Sequence, residues 1–305
     1  MDIVVFGAGS LGSLVGGLLA RAHDVTLVAR EPHASVVAEE GLQIAGALEE
    51  TTYPAARTDG VDLEADLAVV TVKSSATEDA ARTLATGAFG AALSLQNGMG
   101  NEETLAEHLA CPVLAGTATY GAILEKPGVV TCTGLGEIVL GARDGGPSSV
   151  ADAVGEAFSR AGLETVVSSS MPHRLWEKLA VNAAINPVTA LGDAPNGAVL
   201  EDPLRDLSRA AARETARLAR VNGVSLANRQ ALAALESVAT TTATNTSSMR
   251  QDVRAGKRTE IDAINGYVCD RATACGLAVP TNRTLAALVR AWERETLDGS
   301  SYDAT

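Results

Sequence analysis

The segment DIVVFGAGSLG, residues 2–12, decides the fold of this chain. Its apolar start is typical of a buried β-strand, and its glycines have the spacing G-x-G-x-x-G where a helix should begin, which predicts a dinucleotide-binding βαβ unit. Gly7 would permit the tight turn, Gly9 would let a phosphate approach the backbone, and Gly12 would let the helix pack on the strand. The N–H groups at the helix start would bind the pyrophosphate. The predicted cofactor-binding positions here are Gly7, Ala8, Gly9, Ser10, Leu11 and Gly12.

Apolar runs alternate with helical patterns through the first half of the chain. We predict helices at 11–20 and 31–40. The predicted strands are 2–6, 25–29, 66–72, 91–95, 113–117, 129–131 and 137–140. Strands that alternate with helices pair in parallel through right-handed crossovers, so the expected fold class is α/β with a doubly wound, Rossmann-type sheet. Proline and glycine, rather than helices, separate the last strands, and we expect an antiparallel extension at that edge.

A second pattern begins near residue 170. Long stretches rich in Ala and Leu, interrupted at residues such as Pro187 and Gly223, indicate an all-helical C-terminal domain. The predicted helical stretches are 171–190, 201–222, 226–250, 259–276 and 281–296, and the third includes the Thr-rich run 240–246. We place a dinucleotide-binding, Rossmann-type domain at 1–168 and a helical substrate and catalytic domain at 169–305.

The residue after the second strand bears on the choice of cofactor. Sites for NAD usually place an acidic residue at the end of that strand, where it binds ribose hydroxyls. Here the strand 25–29 is followed by Arg30, whose guanidinium would pair with the 2′-phosphate of NADPH. Glu31 comes next and could bind the ribose instead, so NADH stays open as an alternative.

Two loops follow later strands, at the edge where open α/β sheets bind ligands. Lys73 ends one of these strands and could hold a ribose or phosphate oxygen of the cofactor. Asn97 ends the next, offers a donor and an acceptor beside the nicotinamide, and is also a candidate for substrate binding. Each signal also has a structural explanation, because exposed lysines are usually solvated and Asn-Gly commonly marks a turn.

The helical segment 175–187 carries the strongest catalytic signal. Lys178, Asn182 and Asn186 are spaced by four residues and share one face, while the residues around them are apolar. A merely solvated face should carry charges rather than two asparagines, and polar groups buried without partners would cost about 1–3 kcal/mol each. A lysine ammonium can polarise a ketone and supply the proton that its reduction requires, so we predict Lys178 as the general acid.

A third polar cluster lies nearer the C-terminus. Asn245 and Ser248 offer amide and hydroxyl groups to a small, oxygen-rich substrate. Thr259 and Asp262 have the spacing of a capping box, which would place Glu260 in the first turn of the next helix. The positive end of that helix dipole would favour the ionised carboxylate of Glu260.

Composition excludes several classes of function. A formal net charge of −13 argues against nucleic acid as a partner, because its phosphates require a basic surface. No segment approaches the ~20 apolar residues of a membrane-spanning helix, and the N-terminus lacks the features of a signal peptide, so we expect a cytoplasmic protein without membrane association. The four cysteines lack the spacing of metal ligands, and no metal is predicted. A small-molecule substrate is the expected partner, and a homodimer stays open.

These motifs together give the chain a resemblance to the ketopantoate reductase (2-dehydropantoate 2-reductase) family over nearly its full length. The blocks that carry it are GAGSLG at 7–12, VKS at 72–74, QNGMG at 96–100, WEKLAVNAAINPVTAL at 176–191 and SSMRQDVRAGKRTEIDAINGYV at 247–268. The resemblance implies NADPH-dependent reduction of 2-dehydropantoate to (R)-pantoate, on the route to pantothenate and coenzyme A.

By the same resemblance, Lys178 is the general acid and Glu260 helps to orient the substrate or the nicotinamide ribose. It further implies a cofactor contact at the 2′-phosphate from Arg30, cofactor contacts from Lys73 and Asn97, and a substrate site lined by Asn182, Asn186, Asn245 and Ser248. Two rival functions stay open. One is a related reductase of another branched 2-oxo acid, and the other is a catalytically silent dinucleotide-binding sensor, against which the retained lysine argues.

Overall fold

The computed structural model describes residues 1–297 and residue 299. It divides into two compact units: residues 1–96 with 100–171 form the first, and residues 97–99 with the described chain from Pro172 onward form the second. Each unit has its own hydrophobic core. Within the described residues, no helix combines the length and the apolarity needed to cross a membrane.

The first unit is built from short strands and helices. In chain order its elements are β1 (Asp2–Phe6), α1 (Ser10–Leu19), β2 (Asp24–Val28), α2 (His33–Glu40), β3 (Leu42–Gly46), β4 (Glu50–Thr52), β5 (Ala55–Arg57), β6 (Glu64–Val70), a 3-10 turn (Ser74–Ala76), α3 (Thr77–Leu84), β7 (Ala88–Ser94), α4 (Asn101–His108), β8 (Val113–Ala118), β9 (Gly121–Lys126), β10 (Val129–Gly134), β11 (Ile138–Ala142), α5 (Ser149–Arg160) and β12 (Thr165–Val167).

The main sheet confirms the predicted fold class. It has eight strands in the order β12-β11-β8-β7-β6-β1-β2-β5. Strand β1 pairs in parallel with β2 on one side and with β6 on the other, so the strand order reverses at β1, as in a doubly wound sheet. Strand β11 runs antiparallel to β8, which is the expected change of direction toward one edge.

A second sheet was not predicted. Its four strands have the order β4-β3-β10-β9, and it takes β10 away from the edge of the main sheet, where we had expected it. Strand β10 pairs in parallel with β3 and antiparallel with β9. The sequence interpretation also missed β3, β4, β5, β9 and β12, since several are only three residues long and carry polar or half-exposed side chains.

Helix α1 packs closely against the centre of the main sheet. Its fully buried side chains include Leu14 and Leu18, each of which contributes about 1.5–3 kcal/mol by leaving water. A Cβ atom at Gly16 would lie 3.1 Å from Val5 Cγ2 and closer still to Leu27, so a glycine is needed at this contact. The close packing fixes the start of α1 at the end of β1.

The second unit is helical, as predicted. Its elements are α6 (Met171–Leu191), a 3-10 turn (Asn196–Leu200), α7 (Leu204–Val221), α8 (Asn228–Thr241), α9 (Ser248–Arg254), a π-helical turn (Asp262–Gly266), α10 (Tyr267–Ala274) and α11 (Pro280–Leu297). Small side chains allow close packing of these helices, and Ala211, Ala212 and Ala216 of α7 are fully buried.

The predicted stretch 226–250 is wrong as one continuous helix. It divides into α8 and α9, and residues 242–247 between them are not helical. The Thr242 hydroxyl donates to Val238 O and accepts from Asn196 Nδ2, at 2.7 and 3.0 Å. Threonine side chains that bond locally in this way compete with the helical backbone, which explains the break in the Thr-rich run.

Helix α6 confirms the predicted helical stretch 171–190, but it continues through Pro187, at which we had expected that stretch to be interrupted. Proline lacks the N–H that should bond the carbonyl four residues earlier, a loss worth about 3 kcal/mol in a helix interior. The carbonyl affected is that of Ala183, and it accepts instead from Asn265 Nδ2 at 3.1 Å. A side chain from another element therefore replaces the missing backbone donor.

Candidate active site

The predicted phosphate loop has the geometry of an anion site. The N–H groups of Gly7 and Ala8 both donate to Val28 O, at 3.0 and 2.9 Å, which fixes the turn after β1. Gly7 has a φ of +100°, and a Cβ there would lie 2.5 Å from Val72 Cγ1. Among the described residues no side chain caps α1, so the N–H groups of its first turn, from Ser10 to Gly12, are available to an anion.

Of the other two glycines of the loop, Gly12 is closely packed and Gly9 faces open space. A Cβ at Gly12 would lie 2.6 Å from Gly7 O and would collide with Thr71 Oγ1. A Cβ at Gly9 would have only Gly7 O nearby, at 3.9 Å, so the space in front of Gly9 is open. The loop is thus closed on its sheet side and open on its outer side, which fits a bound pyrophosphate.

A buried histidine, not predicted from the sequence, supports this loop. His33 Nδ1 accepts from the Gly128 N–H at 3.0 Å, which leaves Nε2 as the protonated nitrogen facing Ser13 Oγ at 2.9 Å. The Ser13 hydroxyl is 3.1 Å from Ala8 O, to which it donates. Burial lowers the pKa of His33, in keeping with the neutral ring that these bonds require.

Two predicted cofactor residues flank the phosphate loop. Arg30 follows β2 and Lys73 follows β6, the two strands that pair with β1, and both side chains are exposed. The Glu31 carboxylate lies at the start of α2, where its Oε2 accepts from the Ser35 N–H at 3.4 Å. The three positions at the carboxyl ends of β1, β2 and β6 therefore lie side by side in strand order.

A buried polar network, also missed from sequence, joins the loops after β6 and β7. Gln96 Nε2 donates to Val72 O and to Thr77 Oγ1, at 3.1 and 2.7 Å. The Thr77 hydroxyl lies 2.8 Å from Asn101 Oδ1. Gln96 belongs to the QNGMG block, but only its neighbour Asn97 was predicted as a site residue.

Asn97 contacts Glu260, which was predicted as a separate site residue. Asn97 Nδ2 donates to Glu260 Oε2 at 3.1 Å. The Met99 N–H donates to Ala263 O at 3.2 Å, and a Cβ at Gly98 would lie 2.6 Å from the Ala263 Cβ. This close approach explains the need for glycine at 98, and it fixes the Asn97 amide against the carboxylate.

The capping box predicted at Thr259 and Asp262 is wrong. The Thr259 N–H and hydroxyl both donate to Glu293 Oε1 at 2.7 Å, while Asp262 accepts from Arg290 Nε at 2.7 Å. Glu260 precedes the π-helical turn rather than lying in the first turn of an α-helix. The buried Glu293 carboxylate of α11 therefore accepts the hydrogen bond from the Thr259 N–H that the predicted capping box had assigned to Asp262.

Helix α6 carries the predicted polar face. Lys178 and Asn182 are half-buried and Asn186 is buried, at 6% exposure. The Thr189 hydroxyl, one turn further on, lies 2.7 Å from Ser247 Oγ, so α6 is joined to the segment that begins α9. Ser247 also caps α9 by accepting from the Arg250 N–H at 3.2 Å.

The remaining substrate candidates lie on that joined segment. Asn245 and Ser248 are both exposed, with Ser248 as the first residue of α9. An ion-pair cluster holds α9 to the chain after α6, because Asp193 Oδ1 accepts from Arg254 Nε at 2.8 Å and from Arg250 Nε at 2.9 Å. These hydrogen bonds, led by that of Arg254, lower the pKa of Asp193 to about 2.

The predicted residues thus fall into two groups, one in each unit. The first unit holds the glycine-rich loop with Arg30 and Lys73, and the second holds Asn97, Glu260, the α6 face and the α9 segment. The supporting residues that sequence reasoning missed are His33, Ser13, Gln96, Thr189, Ser247, Asn265 and Glu293. The sequence around these residues does not reveal their partners, because each partner lies on another element.

Models of protein families match both parts of the chain. The model described as "Ketopantoate reductase PanE/ApbA" matches residues 3–145, and "Ketopantoate reductase PanE/ApbA C terminal" matches residues 170–293. Among curated relatives, the 2-dehydropantoate 2-reductase of Halobacterium salinarum is 45% identical over 97% of this chain and 100% of the relative. That of Pyrococcus horikoshii is 39% identical over 99% and 100%.

Solved structures share the whole fold. A PanE/ApbA family ketopantoate reductase from Ralstonia eutropha has a TM-score of 0.89 at 34% identity, covering 97% of this chain and 99% of its own. The ternary structure of D-mandelate dehydrogenase with NADH and anilino(oxo)acetate has a TM-score of 0.89 at 25% identity, with the same coverage. The similarity therefore extends over both units.

Proposed function

Because the chain belongs to the ketopantoate reductase family, we propose that it reduces 2-dehydropantoate to (R)-pantoate with a nicotinamide dinucleotide as the hydride donor. The observation that carries the proposal is the hydrogen bond of 3.1 Å from Asn97 to Glu260. It joins two residues 163 positions apart that were predicted as site residues on separate grounds. The reaction serves the formation of pantothenate, and hence of coenzyme A.

Lys178 is the residue that we assign to proton transfer. A nicotinamide dinucleotide, when bound, supplies a hydride for the ketone carbon. The ketone oxygen must then gain a proton, and the Lys178 ammonium can donate it while stabilising the negative charge that develops there. Asn182 and Asn186, one and two turns further along α6, offer amide groups to the carboxylate and hydroxyl groups of the substrate.

The carboxylate of Glu260 is assigned to orientation. Asn97 fixes one of its oxygens, and a carboxylate has further lone pairs to accept hydroxyl groups of the substrate or of the nicotinamide ribose. Asn245 and Ser248 complete the proposed substrate site, since their exposed polar groups lie on the segment that Ser247 joins to α6.

NADPH is the cofactor that we propose. The first turn of α1 would hold the pyrophosphate, and Lys73 would bind a phosphate or ribose oxygen. Arg30 is exposed after β2, and the Glu31 carboxylate bonds the start of α2, which supports a 2′-phosphate contact by the arginine over a ribose contact by the glutamate. We assign dinucleotide binding to residues 1–168 and catalysis to 169–305, and we expect a cytoplasmic enzyme.

The test is a comparison of substrates with the purified protein. NADPH oxidation should be fastest with 2-dehydropantoate, slower with other branched 2-oxo acids, and slower with NADH than with NADPH. Lys178→Ala should lower kcat by about 10²- to 10⁴-fold while the Kd for NADPH is unchanged. Faster turnover of another 2-oxo acid would favour the related reductase, and NADPH binding without any oxidation would favour the sensor. Equal losses of turnover and NADPH binding would make Lys178 a structural residue.

A further inference from the structure

Within α6, Pro187 creates a local problem beside the proposed catalytic face. Its missing N–H leaves the Ala183 carbonyl without the usual helical donor, and this carbonyl lies between Asn182 and Asn186 along the chain. Asn265 Nδ2 donates to it at 3.1 Å. The continuity of α6 at this point therefore depends on one amide side chain.

The Asn265 amide can have only one orientation. Its second N–H donates to Asn282 Oδ1 at 3.0 Å, and both asparagines are completely buried. If the amide were rotated by half a turn, its oxygen would face two acceptor oxygens, those of Ala183 and Asn282. The bond to Ala183 is therefore fixed by the state of Asn282.

Asn282 is oriented in turn by a carboxylate. Its Nδ2 donates to Glu214 Oε2 at 2.8 Å and to Ala211 O at 3.2 Å, and the Asn282 backbone N–H donates to Glu214 Oε2 at 3.0 Å. An ionised carboxylate can only accept, so Glu214 forces the Asn282 amide nitrogen toward α7 and its oxygen toward Asn265. The resulting chain of bonds runs from Glu214 through Asn282 and Asn265 to Ala183.

Asn265 also belongs to the turn that follows Glu260. In the π-helical turn, the Gly266 N–H donates to Ile261 O at 2.9 Å and the Ile264 N–H donates to Glu260 O at 3.1 Å. The turn places Asn265 so that its side chain contacts α6 while its backbone continues directly from Glu260. One short segment thus connects the proposed carboxylate with the helix of the proposed acid.

We propose that Asn265 is a positioning residue for the reduction: by replacing the donor that Pro187 removes, it holds the Lys178 face of α6 in register with Glu260. This rests on the proposed function for its kinetic consequence. The hydrogen bond itself can be tested whatever the substrate is, because restoring a backbone N–H at position 187 should make the Asn265 amide partly dispensable.

The experiment is a double-mutant cycle of Asn265→Leu and Pro187→Ala in the full chain. Asn265→Leu alone should lower kcat about tenfold, with an unchanged Kd for NADPH, and lower Tm by about 2–4 °C. In the Pro187→Ala background the alanine N–H can bond Ala183 O, so the loss caused by Asn265→Leu should be about threefold smaller, in kcat and correspondingly in Tm.

Asn222→Leu is the matched control. It removes the side-chain hydrogen bond from Asn222 Nδ2 to Leu218 O at 2.9 Å, which shares no partner with Glu214, Asn282 or Asn265 and has no part in α6. Its cost should be the same with Pro187 or with alanine at position 187. If Asn265→Leu changes Tm and kcat by the same amounts with proline or with alanine at position 187, Asn265 is an ordinary core residue and the proposal is overturned. If the wild-type protein does not reduce 2-dehydropantoate, the proposed function fails, and the Tm cycle still decides whether the bond exists.

Discussion

The phosphate loop and the polar face of α6 are built in opposite ways. The proposed phosphate site at 7–12 consists of backbone N–H groups, and its glycines provide the room for them. The proposed site on helix α6 consists of the side chains of Lys178, Asn182 and Asn186, and the α6 backbone needs the Asn265 side chain as a donor where Pro187 lacks an N–H. Each region also depends on a buried polar residue elsewhere in its own unit.

This difference determines what each region can tolerate. A site made of backbone groups is sensitive to any added volume but indifferent to most side chains, because the N–H groups remain whatever the residue is. A site made of side chains fails when one functional group is removed, even if the volume is kept. Substitutions that alter either volume or charge alone can therefore separate the two designs.

Among the substitutions that compare these two regions, charge removal at Glu260 should have the largest effect. Glu260→Gln keeps an acceptor for the Asn97 amide but loses the carboxylate, so kcat should fall by about a hundredfold while Tm stays near the wild-type value. Glu260→Leu should lower both, because it also leaves the Asn97 amide without this partner. Steady-state kinetics and thermal unfolding give kcat and Tm for both variants. An unchanged kcat in Glu260→Gln would show that the carboxylate has no part in the mechanism.

Added volume should damage the loop in two distinguishable ways. The Cβ of Gly12→Ala would collide with Thr71 and Gly7, so we expect a loss of about 1–3 kcal/mol in the free energy of unfolding together with loss of NADPH binding. Gly9→Ala enters open space and should leave the unfolding free energy unchanged while it weakens NADPH binding. Urea unfolding and titration calorimetry provide the measurements. Equal destabilisation by both alanines would contradict the one-sided geometry of the loop.

A smaller effect is expected for the exposed arginine after β2. Arg30→Ala should raise the KM for NADPH by about tenfold, since a charge-assisted bond to a phosphate is lost, and leave the KM for NADH unchanged. Arg57→Ala is the matched control, because Arg57 is also exposed at the end of a neighbouring strand but pairs with Asp59 at 2.9 Å. If both variants change NADPH binding alike, general charge rather than a specific contact is responsible.

The buried His33 should make the first unit sensitive to mild acid. Burial lowers its pKa, so the unfolded chain takes up a proton first as the pH falls below the ordinary value of about 6.5. The free energy of unfolding should therefore decline from about pH 7.5 to pH 5.5, and less steeply in His33→Asn. Urea midpoints across this range give the slope. An equal slope in His33→Asn and in the wild-type protein would assign this pH dependence to other groups.

The smallest effect concerns the exposed ion-pair cluster of Asp193. Its hydrogen bonds to Arg254 and Arg250 lower its pKa to about 2, so its contribution is complete above the unfolded value of about 3.9 and is lost as the pH falls toward about 2. Asp193→Asn should lower the midpoint of urea unfolding slightly at neutral pH, and the midpoints of the variant and the wild-type protein should converge near pH 2. A constant difference at every pH would assign the effect to packing instead of charge.

The sequence predicted the parts of the fold that depend on local spacing. The glycine-rich loop and the face of α6 follow from periods of a few residues, so both were identified without knowledge of any partner. The second sheet was missed because β3 pairs with β10, which lies far from it in the sequence. Pairing between strands so widely separated in sequence leaves no local pattern.

The errors at the candidate site have the same physical origin. Pro187 predicted a break in α6 because its compensating donor, Asn265, comes from another element. The spacing of Thr259 and Asp262 predicted a capping box, but Glu293 of α11 takes the Thr259 N–H. A local rule fails wherever a buried side chain from another element provides a better partner.

The short segment 97–99 groups with the helical unit although the residues on both sides of it group with the sheet. Neither unit is therefore a single continuous piece of polypeptide. Proteolysis or gene truncation at residue 171 would yield a C-terminal fragment without Asn97, and so without the amide that fixes Glu260. Mixing the separately produced fragments should restore this contact only if residues 97–99 of the N-terminal fragment bind to the C-terminal fragment. The protein is therefore a candidate for complementation between fragments rather than for isolation of independent domains.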